Sequence, residues 1–359
     1  KPGVSSSVSL DGGDITNVSI INRIFETRYD SEDGWAGDLV RKDVVRLSNG
    51  GQQVEEVWAA SSKIDAQSTN RNIFIAGTST NGLKDFTWTN IGAANQNLFN
   101  LNPDALTNTA DGRGADRLNY IRGARTAEGN GPTDFRARKT VLGDIINSSP
   151  EVVGMASNVP YLMDRIDGDR GDYLEYLIQT QSRPELVYVG ANDGMLHAIF
   201  TGTDTAASPA FTGGSEAFAF IPSAVIPNLP KLAGQSFKGG GHRYYVDGSP
   251  IVRDVFIGGE WRTVLVGTLR AGGKSVFALD ITDPGIDGSG VKLLWEISNQ
   301  DSDYEDLGFT FARPEIARLH SGQWGVLLGN GYDSNNGAAA MHVIDIADGS
   351  LLRKLEVDD

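Results

Sequence analysis

The sequence predicts a mainly β fold: a β-propeller with long inserted loops and a few short helices, cut short at its C-terminus. Three observations carry this. From Thr140 onward, β-runs of four to eight residues alternate with glycine- and aspartate-bearing turns. Three of those runs follow one template: Leu196-His197-Ala198-Ile199-Phe200, Val276-Phe277-Ala278-Leu279-Asp280 and Met341-His342-Val343-Ile344-Asp345. Each is preceded by a run ending in glycine, namely Val187–Gly190, Val264–Gly267 and Val326–Gly329. Glycine contributes 44 of 359 residues, well above the average of roughly 7%, as a fold built from many tight turns requires. Recurring units of this kind bury their faces against one another as radially stacked twisted sheets. The template recurs after 80 residues (Ala198 to Ala278) and again after 65 (Ala278 to Val343). Both intervals exceed the roughly 40–50 of a simple blade, so insertions or extra blades are expected. A β-sandwich with long loops is the competing architecture.

Taken in order, residues 1–50 hold short alternating strands at Val18–Ile24 and Val44–Leu47. Over Gln52–Ala66, Val54, Val57, Trp58 and Ile64 fall near helical spacing and predict one amphipathic helix. Arg71–Gly77 reads as a strand, and Phe86-Thr87-Trp88 ends another. Residues 89–135 are rich in Asn, Gly, Asp and Arg and predict surface excursions with a short helix at Asp116–Gly123. The regular part predicts strands at Val187–Gly190, Met195–Phe200, Glu216–Ile221, Tyr244–Val246, Thr263–Gly267, Ser275–Ile281, Leu293–Ile297, Trp324–Gly329 and Met341–Ile346. A helix is expected at Asp172–Gln181, with Leu174, Leu177 and Ile178 as its apolar stripe. No Pro/Ser/Gly linker separates the halves, so residues 1–359 are expected to form one propeller domain, with irregular blades and insertions over 1–139 and regular blades over 140–359.

Composition restricts the function. Hydrophobic residues make up 40% and charged residues 21%, with mean hydropathy −0.24, which excludes a disordered chain. No apolar run approaches the roughly 18 residues of a membrane-spanning helix. With 31 Lys+Arg against 46 Asp+Glu, the net charge is −15, the wrong sign for nucleic acid or anionic lipid. Zero cysteines exclude disulfides, thiolate metal sites and cysteine nucleophiles, and leave the redox compartment unreadable. The chain starts at Lys1 with no apolar leader, so an export signal is expected to have been removed or to lie on a longer precursor.

Specific runs carry a family resemblance. Thr140-Val141-Leu142-Gly143-Asp144-Ile145-Ile146-Asn147-Ser148-Ser149-Pro150, followed by Val187-Tyr188-Val189-Gly190-Ala191-Asn192-Asp193-Gly194-Met195-Leu196-His197-Ala198, resembles the C-terminal propeller of PilY-type type IV pilus tip proteins. Phe218–Ser223, Tyr244–Pro250, Trp261–Gly267, Leu307-Gly308, Arg313-Pro314 and Gly329–Tyr332 continue the match in the family's order. Trp35–Gly37, Val57–Ala60 and Tyr120–Gly123 fit it more loosely. The resemblance implies a non-enzymatic protein of the bacterial surface at the pilus tip. Minor pilins, and a host or abiotic surface, would be its partners. Such proteins support pilus assembly, oppose retraction and contribute to adhesion and twitching motility. Members of the family commonly carry a calcium loop, Asp-x-Asp/Asn-x-Asp-Gly-x-x-Asp, and no such nonapeptide occurs here. No cofactor is therefore carried over, and calcium is left to other carboxylates.

The densest carboxylate cluster supplies that candidate: Asp164, Asp167, Asp169 and Asp172 on a glycine-bent loop. Its spacing is not that of an EF-hand, and Arg165 and Arg170 offset its charge, so the plain alternative is a solvated acidic loop leading into a helix that Asp172 caps. The same loop contains Arg170-Gly171-Asp172, the tripeptide read by integrins, which makes it a candidate receptor-binding site on a surface adhesin. Asp301–Asp306 is a second acidic loop, expected to be solvated. Gly267–Ser275 resembles a P-loop, but five residues rather than four precede its Gly-Lys-Ser and a β-run follows, so it is read as a blade turn. His197 and His342 share one repeat position and are expected to be structural, while His242 and His320 complete no ligand spacing. Asp280 and Asp345 end equivalent strands and are expected to accept hydrogen bonds from the following turns. The other function class is a quinoprotein-like dehydrogenase using pyrroloquinoline quinone, whose propellers have a similar texture. Against it, the disulfide many of them carry is impossible here, and the six tryptophans do not recur at one repeat position.

Overall fold

A computed structural model describes every residue except 1, 13–19, 33, 48, 169–171, 336 and 357–359. The first four strands, β1 (Pro2–Gly12), β2 (Ile20–Asp30), β3 (Ala36–Arg46) and β4 (Gln52–Ala59), form an antiparallel meander. An excursion follows through α1 (Ala60–Gln67), β5 (Ile73–Ala76), β6 (Leu83–Asp85), α2 (Gly92–Phe99), α3 (Gly114–Arg122), β7 (Glu128–Gly129) and β8 (Phe135–Arg136). The second meander starts with β9 (Glu151–Val153), is interrupted by α4 (Pro160–Ile166) and α5 (Tyr173–Gln179), and resumes with β10 (Leu186–Gly190), β11 (Leu196–Phe200) and β12 (Glu216–Phe220). Two 3-10 segments, Ser223–Ala233 and Gln235–Gly239, lead to the third: β13 (Ile251–Ile257), β14 (Glu260–Thr268), β15 (Ser275–Asp280) and β16 (Lys292–Ser298). The fourth comprises β17 (Glu315–Arg318), β18 (Trp324–Gly329), β19 (Ala340–Asp345) and β20 (Leu351–Glu356).

The template runs are the third strands of their sheets: β11, β15 and β19. Between sheets, the contacts join first strands, β1 to β9, β9 to β13 and β13 to β17. The sheets therefore radiate from a common inner edge as propeller blades. Alternation along one strand feeds two cores. In β10, Val187 and Val189 pack toward the first blade with Phe25, Leu39 and Trp58, whereas Leu186 and Tyr188 join the core shared with the third. In β14, Leu265 faces that second core, while Val264 and Val266 face the fourth blade with Trp324, Val326 and Ile344. Covering both faces explains why these strands read as continuous apolar runs. The excursion thickens the second blade, with β5 pairing parallel to the outer edge of β12 and β6 beside it.

Several local expectations change. Gln52–Ala66 is not one helix: β4 takes its first half and pairs with β3 through Val44↔Val54 and Arg41↔Trp58, and only α1 is helical. Val54 and Val57 are exposed edge-strand residues, so their helical spacing was coincidental, and β-branching favoured the strand. Tyr244–Val246 is not a strand, because the Tyr245 amide donates to the Asn192 side chain instead of a ladder. The helix at Asp172–Gln181 exists as α5, but it buries Tyr173 and Tyr176 and leaves Leu174 and Ile178 exposed. Asp172 does not cap it; the Tyr173 amide donates to Asp164 Oδ1 (3.0 Å). The 80-residue interval between templates is one blade repeat lengthened by the 3-10 connection at 221–250.

Candidate functional site

A meander places the turns β2–β3, β10–β11, β14–β15 and β18–β19 at one end, together with the loops that enter each blade. There the resembling motifs meet. The Gly37 amide donates to the Leu142 carbonyl (3.1 Å), Gly143 N to Asp193 Oδ2 (3.0 Å), and Asn192 N to the Asp144 carbonyl (2.9 Å). Asn192 Nδ2 donates to Asp144 Oδ2 (2.7 Å), and its Oδ1 accepts from Tyr245 N (3.0 Å). One blade further, Leu269 N and Arg270 N donate to Thr310 Oγ1 (3.0 and 3.2 Å), and Gly308 N donates to the Asn330 carbonyl (2.6 Å). The entry loops of the second and third blades are thus clamped to the turn of the preceding blade.

Buried charges reinforce the clamps. Asp144 lies 3.0 Å from His242 Nε2, and Trp35 stacks on that imidazole with ring centroids 3.8 Å apart. Asp247 accepts from Asn147 Nδ2 (2.8 Å) and stands 3.5 Å from Arg270 Nε; burial outweighs these and pushes it up to about 6. Deeper in the second blade, Glu216 accepts from Arg71 Nε (2.6 Å) and Nη2 (2.9 Å) and from His197 Nδ1 (2.6 Å), while His197 Nε2 reaches Asp193 Oδ1 (3.1 Å). Burial alone would raise Glu216, but the Arg71 charge and the His197 hydrogen bond bring it down to about 2. Burial alone would lower His197, but Asp193 and Glu216 lift it to about 9. The result is a buried chain of alternating charge. His342 stands 3.1 Å from Asp306 Oδ1, and Lys354 Nζ lies 2.7 Å from its Oδ2, so the repeat's histidines tie third strands to carboxylates.

An open cleft of about 920 Å³ lies at this end beside the third and fourth blades, lined by Asn228, Arg243, Tyr244, Lys274, Gln300 and Phe309 among others. Aromatic faces, amides, the cations Arg243 and Lys274 and the carboxylates Glu296 and Asp301 suit it to binding. The P-loop-like run is the β14–β15 hairpin on its wall. Asp280 and Asp345 accept from Thr282 N (3.0 Å) and Ala347 N (2.9 Å), as expected of strand-ending aspartates.

The sequence-derived candidates lie at the opposite end, and the structure gives each described one its own protein partner. Besides Asp164, which holds the Tyr173 amide, buried Asp167 accepts from Arg318 Nε (3.0 Å) and Asp172 from Trp261 Nε1 (2.9 Å). Asp169, Arg170 and Gly171 lie outside the described residues. Among the described residues no three His, Asp or Glu side chains gather closely enough to hold a metal ion. Asp306 is not solvated but buried in its contacts with His342 and Lys354. No local pattern announces the Arg71–Glu216 pair, whose members are 145 positions apart.

The family described as the PilY1 beta-propeller domain matches residues 142–359. The chain is similar to the type IV pilus biogenesis factor PilY1 of Pseudomonas aeruginosa strain PAK, 44% identical over 360 residues that cover 99% of this chain and 29% of that protein. It is 37% identical to a PilY1 homolog of Xylella fastidiosa over 318 residues, 88% of this chain and 22% of the homolog. The crystal structure of the Pseudomonas aeruginosa PilY1 C-terminal domain matches 58% of this chain and 37% of its own at 46% identity, with a TM-score of 0.45. The chain thus spans less than a third of the curated relatives it matches.

Proposed function

Because the chain belongs to the PilY1 beta-propeller family, we propose that it is a non-enzymatic binding and scaffold propeller of the type IV pilus. It acts at the bacterial surface near the pilus tip, engages minor pilins, supports pilus assembly against retraction, and contributes to adhesion and twitching motility. The observation that carries this is similarity along 99% of the chain to proteins named as pilus biogenesis factors. The site chemistry agrees: buried His197 and His342 are committed to carboxylates of their own blades, and the open cleft is equipped for contact. Among the described residues no helix is long and apolar enough to cross a membrane. The 164–172 loop is proposed to bind calcium through Asp164, Asp167, Asp169 and Asp172, and to present Arg170-Gly171-Asp172 to a surface receptor.

The test deletes the propeller from the full-length protein in its own bacterium, with surface pili quantified after shearing. Loss of pili and twitching despite stable truncated protein is expected, with pili returning when the retraction motor is also removed. Normal piliation and twitching would overturn the proposal. A near-ultraviolet quinone band after reconstitution with pyrroloquinoline quinone would overturn its non-enzymatic part.

A further inference from the structure

The helical insertion between β9 and β10 carries an apolar face that the fold leaves uncovered. Among the described residues, seven of the fifteen exposed large apolar side chains fall within residues 155–178, each 47–64% exposed. Scattered singly, such residues need no explanation; concentrated in one short segment, they mark an interaction surface. On α4, Leu162 and Ile166 share one face at i, i+4, with Val159 exposed at its N-cap, and on α5 Leu174 and Ile178 share another at i, i+4. The insertion is also firmly mounted. Tyr173 OH donates to Asp254 Oδ2 (2.6 Å), Thr263 Oγ1 to Asp254 Oδ1 (2.6 Å), and Asn158 Nδ2 to Asp254 Oδ2 (3.0 Å). Asp172–Trp261 and Asp167–Arg318 add two further ties to the third and fourth blades. The outward apolar groups therefore sit on a preorganised platform, which lowers the entropic cost of docking.

Charge selects the occupant. The described charged side chains of 155–178 are Asp164, Asp167, Asp172 and Glu175 against Arg165, and Arg318 offsets the buried Asp167, so the segment keeps a net negative charge on a chain of net charge −15. A second copy would bring like charges together, and an anionic bilayer would be repelled. A cationic partner is drawn in, and helical anchors at these spacings match a helix. We propose that the α4–α5 face docks an amphipathic helix of a partner protein whose apolar stripe is flanked by Lys and Arg. Whether or not the pilus role holds, this surface stands on its own chemistry.

The full 359-residue chain is titrated by fluorescence anisotropy with two synthetic helical peptides sharing one leucine stripe, one flanked by lysines and the other by glutamates. The lysine peptide is expected to bind at least tenfold tighter. Leu162→Ser with Ile166→Ser, and Leu174→Ser with Ile178→Ser, are each expected to weaken it at least tenfold without shifting the melting temperature, since these side chains are exposed. Absence of binding, equal binding of the two peptides, or variants that bind like the parent would overturn the proposal. So would patch-dependent dimerisation in sedimentation, or patch-dependent binding to phosphatidylglycerol vesicles.

Discussion

Glu216 keeps its charge in the interior because Arg71 and His197 reach it from two sides. Removing that charge leaves buried Arg71 without its carboxylate while His197 keeps Asp193, and breaking a buried pair costs about 3–5 kcal/mol. Glu216→Gln is therefore expected to lower denaturant stability by that order, measured by urea unfolding. The pH dependence has a definite sign. Glu216, at about 2 when folded, contributes stability above pH 4.5 that is lost as pH falls toward 2. His197, at about 9, contributes stability below pH 6.5 that is lost as pH rises through 9. His197→Gln is expected to lack the alkaline decline. Asp247 works in the opposite sense to Glu216: raised to about 6, it costs stability as pH climbs from 3.8, and Asp247→Asn should flatten that slope in unfolding measured across pH 4–7. At this scale the sequence showed that His197 and His342 are equivalent, because both lie on the repeat. It could not show their carboxylate partners, which arrive from other turns and strands.

The interblade clamps decide which local changes are tolerated. A Cβ on Gly272 would stand 1.8 Å from the Tyr245 carbonyl oxygen, inside the clamp between the third blade's entry loop and its own turn. Gly272→Ala is expected to cost about 1–3 kcal/mol or more. Gly202→Ala, where a Cβ meets nothing within 4 Å, should stay within about 0.5 kcal/mol in the same urea measurement. Tyr173→Phe removes one of the three donors to Asp254, the one that ties α5 to the third blade, and about 1–3 kcal/mol of local destabilisation should appear as faster proteolysis within 155–178. Strands β10, β11, β14, β15, β18 and β19 were legible because both faces are buried and the runs are apolar. Strands β9 and β17 were not, being three and four residues long beside Pro150 and Pro314. Apolar spacing misled at Gln52–Ala66 and on α5, since periodicity records where side chains point and not what covers them.

Across the whole molecule, a charge of −15 works against compaction, so the melting temperature should rise as ionic strength increases to about 0.15 M, where the Debye length is roughly 8 Å. A fall would show that the salt bridges dominate. Melting in millimolar calcium against chelator decides the 164–172 loop. Occupancy at about 100 times Kd adds roughly 2.7 kcal/mol, so the proposal expects a rise of several degrees that Asp169→Ala abolishes; an unchanged melt removes calcium from this loop. Asp167→Ala should lower the melt in both conditions, because Arg318 loses its partner. The sequence by itself determined the blade repeat, the family and the acidic character, because these reside in short-range pattern and composition. Only the tertiary structure decided what each charged residue does. The clamps and the buried Arg71–Glu216–His197–Asp193 chain join segments distant along the chain, and the α4–α5 face is held by ties from the third and fourth blades, so their chemistry exists only once the blades are stacked.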